Sequence, residues 1–188
     1  MPDFRALFAQ HRAAILGGGA ALAVGAGLLA RRKAAAGATG TTAAVPSSVT
    51  TAGTLVVEGQ PMSFRTRNAL TSVGLDVPAH RSRQATEAVL AAADLVVALA
   101  PEHVEWVRRN HPRASGRCAT LRRLCRDLPG ADAGPLAARV AALRLAEVEL
   151  EGWEEVVDPG GGDEPEFEAC AREIVALIPV LAHALGAE

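Results

Sequence analysis

The sequence predicts an α/β fold, a parallel sheet covered on both faces by helices. Three observations predict it. Residues 94–100 (Asp-Leu-Val-Val-Ala-Leu-Ala) form a continuous apolar run, which suits a strand buried on both faces. From Val49 onward, strand-like and helix-like segments alternate. With 188 residues the chain is long enough for one domain with a sizeable core.

The elements follow in order. Residues 49–57 hold a β-branched run broken by Gly53, compatible with a strand end and a loop. Residues 63–73 suit a helix with Phe64, Ala69, Leu70 and Val73 available for one face, and Gly74 is placed to stop it. Residues 75–77 are too short to assign, and 86–93 are helical in composition. After the 94–100 strand, Pro101 opens a helix through Asn110, with Glu102 at its positive end. A further helix fits 136–150, where Leu136, Val140, Leu143 and Glu147 trace a stripe. The closing segment 165–185 places Phe167, Cys170, Ile174, Leu177, Ile178, Leu181 and Leu185 at helical spacing, with Pro179 as a candidate kink.

Composition narrows the function classes. Hydrophobic residues make up 49% and charged residues 21%, which excludes disorder throughout and a multi-span membrane protein. Net charge is −2, so no global basicity points to nucleic acid. The charge is uneven: residues 1–83 carry nine Lys/Arg against three Asp/Glu, and 84–188 carry ten against eighteen. The 40 alanines make alanine-rich stretches weak evidence for helix or membrane. Cys118, Cys125 and Cys170 are odd in number and lack metal-ligand spacing, so neither a disulfide framework nor a metal site is indicated. They read as ordinary core or surface thiols. His103 and His111 read as solvent-facing, and Arg108, Arg109, Arg113 and Arg117 as a solvated basic face rather than an anion site.

The N-terminal segment 1–48 stands apart from a folded domain over 49–188. Residues 13–30 are uncharged and flanked by Arg12 and by Arg31, Arg32 and Lys33. As a helix of eighteen residues they would just cross a bilayer core. Only six are strongly apolar, worth about −2 to −4 kcal/mol of insertion before any glycine penalty, which is marginal. A membrane contact through residues 13–30 and a chance alanine/glycine run both stay open. Residues 34–48 are small, polar and proline-containing, and read as a linker.

An ordered set of motifs then carries a resemblance. Thr51-Ala52-Gly53-Thr54, Gly59-Gln60-Pro61-Met62, Gly74-Leu75-Asp76, His80-Arg81-Ser82-Arg83-Gln84, Ala93-Asp94-Leu95-Val96-Val97 and Asp158-Pro159 occur in this order. Together they resemble the low molecular weight protein-tyrosine phosphatases, whose fold also serves arsenate reductases and arginine phosphatases. The resemblance covers about residues 49–185. It implies a three-layer sandwich with a parallel sheet of about four strands, the first lying centrally. It implies hydrolysis of phosphorylated protein in the cytoplasm, through phosphocysteine and without a cofactor.

That chemistry needs a cysteine thiolate ionised by backbone N–H groups, an arginine six residues on that grips two phosphate oxygens, and an aspartate acid. Asp158 falls where the family places the acid, although Asp-Pro-Gly is also good turn chemistry alone. The aromatic that often follows the Asp-Pro is replaced by Gly160. His80 matches a histidine that helps hold the phosphate loop, and Thr51 replaces a serine with a similar hydroxyl.

The C-x5-R signature itself is missing. No cysteine precedes Cys118, and the residues six beyond the three cysteines are Leu124, Ala131 and Ala176. Residues 5–8 resemble the end of the family's first strand and residues 27–32 the helix after its loop; no nucleophile lies between. The first strand is therefore expected to be degraded or replaced, and the chain inactive. A frameshift pair, a non-catalytic binding protein and a membrane anchor are three explanations of the gap.

Overall fold

The computed structural model describes residues 13–17, 49–75, 80–131 and 134–185. Its strands are β1 (Ala13–Gly17), β2 (Val49–Gly53), β3 (Leu95–Ala98) and β4 (Cys118–Thr120). Its helices are α1 (Phe64–Ser72), α2 (Glu87–Ala91), α3 (Pro101–Asn110), α4 (Leu121–Asp127), α5 (Leu136–Ala142) and α6 (Glu164–Ala184). The strands form one sheet in the order β2-β1-β3-β4, parallel at every pairing.

The first strand lies where the sequence suggested a membrane-spanning run. Ile15 pairs with Thr51 on one side and Val97 on the other, so β1 is central in the sheet. A helix over 13–30 does not form, because its first five residues are this strand. Among the described residues no helix is long and apolar enough to cross a membrane. The physical reason is plain: a strand covered on both faces and a membrane segment are both uncharged and apolar, and five residues do not separate them. The first-strand match at 5–8, the helix match at 27–32, the linker 34–48 and residues 76–77 lie outside the described residues.

Strand β3 builds the layers. Its residues are all buried, as the 94–100 run requires. Leu95, Val97 and Leu99 pack with Leu70 of α1, Leu124 of α4, Val140 of α5 and Ile174 and Ile178 of α6. Val96 and Ala98 point the other way, into a second core with Leu90 of α2 and Val104 and Val107 of α3. Period-two alternation thus gives one strand two cores, and the fold three layers.

Local chemistry sets the helix ends. The Ser63 hydroxyl accepts the Thr66 N–H at 3.1 Å and opens α1. Gly74, at φ +77°, closes it, with the Leu75 N–H donating to the Leu70 carbonyl at 2.8 Å. Helix α3 starts on Pro101 with Glu102 in its first turn and ends with Arg108 and Arg109 in its last. Helix α6 runs continuously through Pro179. Helix α5 is shorter than the 136–150 stripe suggested. It stops at Ala142, and Arg144 takes the left-handed region at φ +49°, which turns Leu145 inward to 2% exposure. Glu147 is therefore not on that helix; it pairs with Arg144 in the turn.

A buried ionic cluster ties β4 and α4 to the segment before Asp158. The Glu154 carboxylate, fully buried, accepts from the Thr120 hydroxyl at 2.7 Å, from Arg123 Nη2 at 2.5 Å and from the Glu151 N–H at 2.9 Å. Arg123 also donates to the Glu149 carbonyl at 2.8 Å and lies over the Trp153 ring. Burial pushes the Glu154 carboxyl up, but the bonds from Arg123, Thr120 and the Glu151 N–H outweigh it and hold the group below the ordinary 4.5. A depressed carboxyl contributes stability above its unfolded value and loses it as pH falls through the folded one. Glu154→Gln is expected to cost about 3 kcal/mol at pH 7, because it leaves Arg123 without its buried counter-charge. The gap should narrow below about pH 4.5 as the native carboxyl protonates, which urea midpoints of both proteins across pH will check.

Candidate active site

The sheet order locates the crevice. The chain runs from β1 out to β2, then returns past β1 to β3, so the direction of winding reverses between β1 and β3. Ligands of open parallel sheets bind at the carboxyl ends of the strands at such a switch point. Gly17 is level with Gly53 there, and Leu16 with Ala98. Residues 18–30, which follow β1, consist only of glycine, alanine, leucine and valine. None of these side chains can attack phosphorus or grip an anion, and the first charge after β1 is Arg31.

Thr51 lies in the middle of β2, and His80 opens segment 80–85, which is bonded to the end of that strand. Thr51 stands in register with Ile15, two residues before the end of β2. Segment 80–85 is laced to the loop after β2. Gly53 N–H donates to the Arg83 carbonyl at 2.8 Å, Gly59 N–H to the Ser82 carbonyl at 2.9 Å, and Gln84 Nε2 to the Thr54 carbonyl at 2.8 Å. The half-buried His80 sits at the start of this seam. Burial, and then the neighbouring Arg81 charge, hold its imidazole below the ordinary histidine value.

Asp158 arrives from the β3 side. The Val156 N–H donates to the Leu99 carbonyl at 2.8 Å, which pins the loop just beyond the end of β3. Glu154 and Val156 point inward while Val157 and Asp158 are exposed. Asp158 Oδ1 accepts the Gly160 N–H at 3.0 Å, closing the Asp-Pro-Gly turn, and the same residue lines a cavity of about 310 Å³ with Glu166, Cys170 and Glu173. A Cβ on Gly160 would stand 3.3 Å from that Oδ1, so any side chain there presses on the carboxylate. The hydrogen bonds thus place the Asp158 loop just beyond the end of β3 and tie segment 80–85 to the end of β2 at Gly53.

The cysteines are the opposite of activated nucleophiles. Burial pushes Cys118 up to about 12, against the lowering charges of Arg108 and Arg117, and pushes Cys170 up to about 12. Cys125, half-buried, is pushed up to about 11 and lies 3.4 Å from the Leu177 carbonyl that its thiol faces. At pH 8, iodoacetamide is expected to label Cys118 and Cys170 only after denaturant is added, as peptide mass spectrometry of native and unfolded samples will read. Among the described residues no three His, Cys, Asp or Glu are grouped to hold a metal ion.

Three sequence expectations need correction. His103 is 7% exposed rather than solvent-facing, because His103, Val104 and Val107 form the inner face of α3. Burial lowers its basicity against the charges of Glu102, Asp158 and Glu155. His111 is half-buried, with Nδ1 2.7 Å from Glu87. Nor are all four arginines solvated. Arg108 Nη2 donates to the Leu145 and Val148 carbonyls at 2.7 Å, and Arg117 Nη2 to the Leu90 carbonyl at 3.1 Å; Arg109 and Arg113 remain exposed. Glu154 escaped sequence reasoning, though the inward positions Glu154 and Val156 keep the period of two expected of an extended segment.

Comparison with known proteins agrees with this architecture. The family model described as low molecular weight phosphotyrosine protein phosphatase matches residues 30–134. No curated protein matches the chain. Among solved structures, the YwlE arginine phosphatase from Geobacillus stearothermophilus is similar at 21% identity and TM-score 0.63, over 94% of this chain and 93% of that one. A low molecular weight protein tyrosine phosphatase from T. tengcongensis matches at 21% identity and TM-score 0.60, over 93% and 98%. The tyrosine phosphatase Wzb from Escherichia coli K30, in complex with sulphate, matches at 14% identity and TM-score 0.61, over 95% and 99%.

Proposed function

Because the chain belongs to the low molecular weight phosphotyrosine protein phosphatase family, we propose that it keeps the family's fold around a phosphate site that has lost its nucleophile, and that it does not turn over phosphoesters. One observation carries this reading: the central strand is followed by thirteen residues with no cysteine, arginine or other polar side chain. The phosphoryl group would have neither a thiolate to accept it nor a guanidinium to grip its oxygens.

The remaining positions keep their places with reduced roles. Asp158 stands at the acid position, able to give a proton to a leaving oxygen that nothing displaces. Thr51 and His80 are the loop-supporting positions, for the phosphate loop. A phosphorylated protein is the partner only if the chain turns over phosphate; the reading includes no cofactor and no nucleic acid, and a cytoplasmic place. Residues 49–188 make up the phosphatase-like domain, and residues 13–17 complete its sheet. The test is steady-state hydrolysis of para-nitrophenyl phosphate by the purified chain. Release no faster than with heat-denatured chain is expected; thiol-sensitive turnover well above that background overturns the reading.

A further inference from the structure

We infer that the paired loops 54–61 and 80–85, with the start of α1, form a docking surface for an acidic protein segment that carries an apolar anchor. The inference stands whether or not the chain turns over phosphate. Five large apolar side chains are exposed among the described residues, and three of them are here: Leu55 at 91%, Val57 at 69% and Phe64 at 66%. Scattered exposed apolar residues need no explanation; these three fall within ten residues of the chain, on one loop and the helix start that follows it.

The loops are held rather than loose. Ser82 N–H donates to the Gln60 carbonyl at 2.9 Å, Gln60 N–H to the Ser82 hydroxyl at 2.9 Å, and Val56 N–H to Gln84 Oε1 at 3.1 Å. Ser82 and Gln84 turn into this seam, so the alternate residues Arg81 and Arg83 turn out of it, and both are exposed. Leu55 and Val57 are likewise exposed, on either side of Val56, whose N–H is bonded to Gln84. A preformed surface of this kind costs a partner little ordering on its own side.

Charge selects the occupant. The described residues 49–75 and 80–85 carry four arginines and one acid, and the carboxylate of that acid, Glu58, accepts the Gln84 N–H at 3.0 Å. Arg65 lies over the Phe64 ring at 5.5 Å, which puts a cation beside the apolar anchor point. Across the crevice, Asp158, Glu166 and Glu173 line the cavity on the α6 side. Glu164 at the start of α6 accepts from Asn68 of α1 at 2.8 Å, so an acidic segment is drawn toward Arg81 and Arg83 at the loop end of the surface and away from the α6 carboxylates.

The probe is an unphosphorylated, fluorescein-labelled peptide, Glu-Asp-Leu-Phe-Asp-Glu, followed by anisotropy against the full chain. Saturable binding with a Kd on the order of 100 μM is expected, weakening as salt rises. Arg81→Glu with Arg83→Glu should weaken it at least about tenfold, and Leu55→Ser with Val57→Ser by a similar factor, with both variants melting like the parent because the side chains are exposed. Equal binding of a peptide with lysine in place of every acid overturns the inference. So does binding that neither double variant changes. Sedimentation that shows the chain associating with itself through these residues also overturns it, since a second copy would then cover the face.

Discussion

Ile15→Pro is expected to abolish the folded state. Ile15 is the middle residue of β1, paired with Thr51 on one side and Val97 on the other. Proline removes the N–H that its ladder position requires and fixes φ near −65°, a cost of about 3 kcal/mol or more inside a sheet. Typical domains have only about 5–15 kcal/mol to lose. The damage also spreads further than one bond. Strand β1 separates β2 from β3, and β3 carries both cores, so loss of the centre exposes two strand edges and opens both faces. Far-ultraviolet circular dichroism with urea should show a cooperative transition for the parent and none for the variant. Ala13→Pro, at the first residue of the strand, should be tolerated far better. A variant Ile15→Pro that unfolds at the parent midpoint would remove β1 from the fold.

The second large effect is on catalysis. In a covalent mechanism, loss of the nucleophile lowers turnover on the order of 10⁶-fold, with residual rate from binding alone. Here the arginine is missing as well, so bidentate stabilisation of the phosphoryl oxygens is also gone. Any rate seen should therefore be indifferent to Cys118→Ser, Cys125→Ser and Cys170→Ser made together. The same triple variant answers the objection that a displaced cysteine has taken over: burial pushes all three thiols up, two to about 12, when attack needs a thiolate near neutral pH. A thiol-dependent rate, lost in the triple variant and present in the parent, would identify a nucleophile among them.

Much of the fold was legible, and the exceptions have physical causes. Strand β3 was plain because burial on both faces leaves no room for a polar residue. Helices α1 and α3 carry their own punctuation, in Ser63, Gly74 and Pro101. Strand β4 has three residues, Cys118 to Thr120, too few for a period to show. Strand β1 pairs with residues 36 positions away, from Ala13 to Val49, and nothing local in Ala-Ala-Ile-Leu-Gly separates a central strand from part of a membrane span. The end of α5 turns on Arg144 taking a left-handed conformation that arginine seldom adopts.

The site divides along the same line. The missing signature was visible at once, because absence of cysteine over 117 residues needs no folding to be read. Asp158 was singled out by the order of motifs although Asp-Pro-Gly makes the same turn anywhere; the Val156–Leu99 hydrogen bond, which sequence does not show, holds its loop just beyond the end of β3. Burial of His103 and Glu154 was hidden because charged and titratable residues are read as surface until their partners are known. For Glu154 those partners, Thr120 and Arg123, lie more than thirty residues upstream.

The most direct measurement is intact-mass spectrometry of the chain mixed with para-nitrophenyl phosphate and quenched in acid. A fold that has kept its sheet and lost its nucleophile leaves the chain at its unmodified mass at every time point. A phosphoryl adduct mapped to Cys118, Cys125 or Cys170 would contradict it.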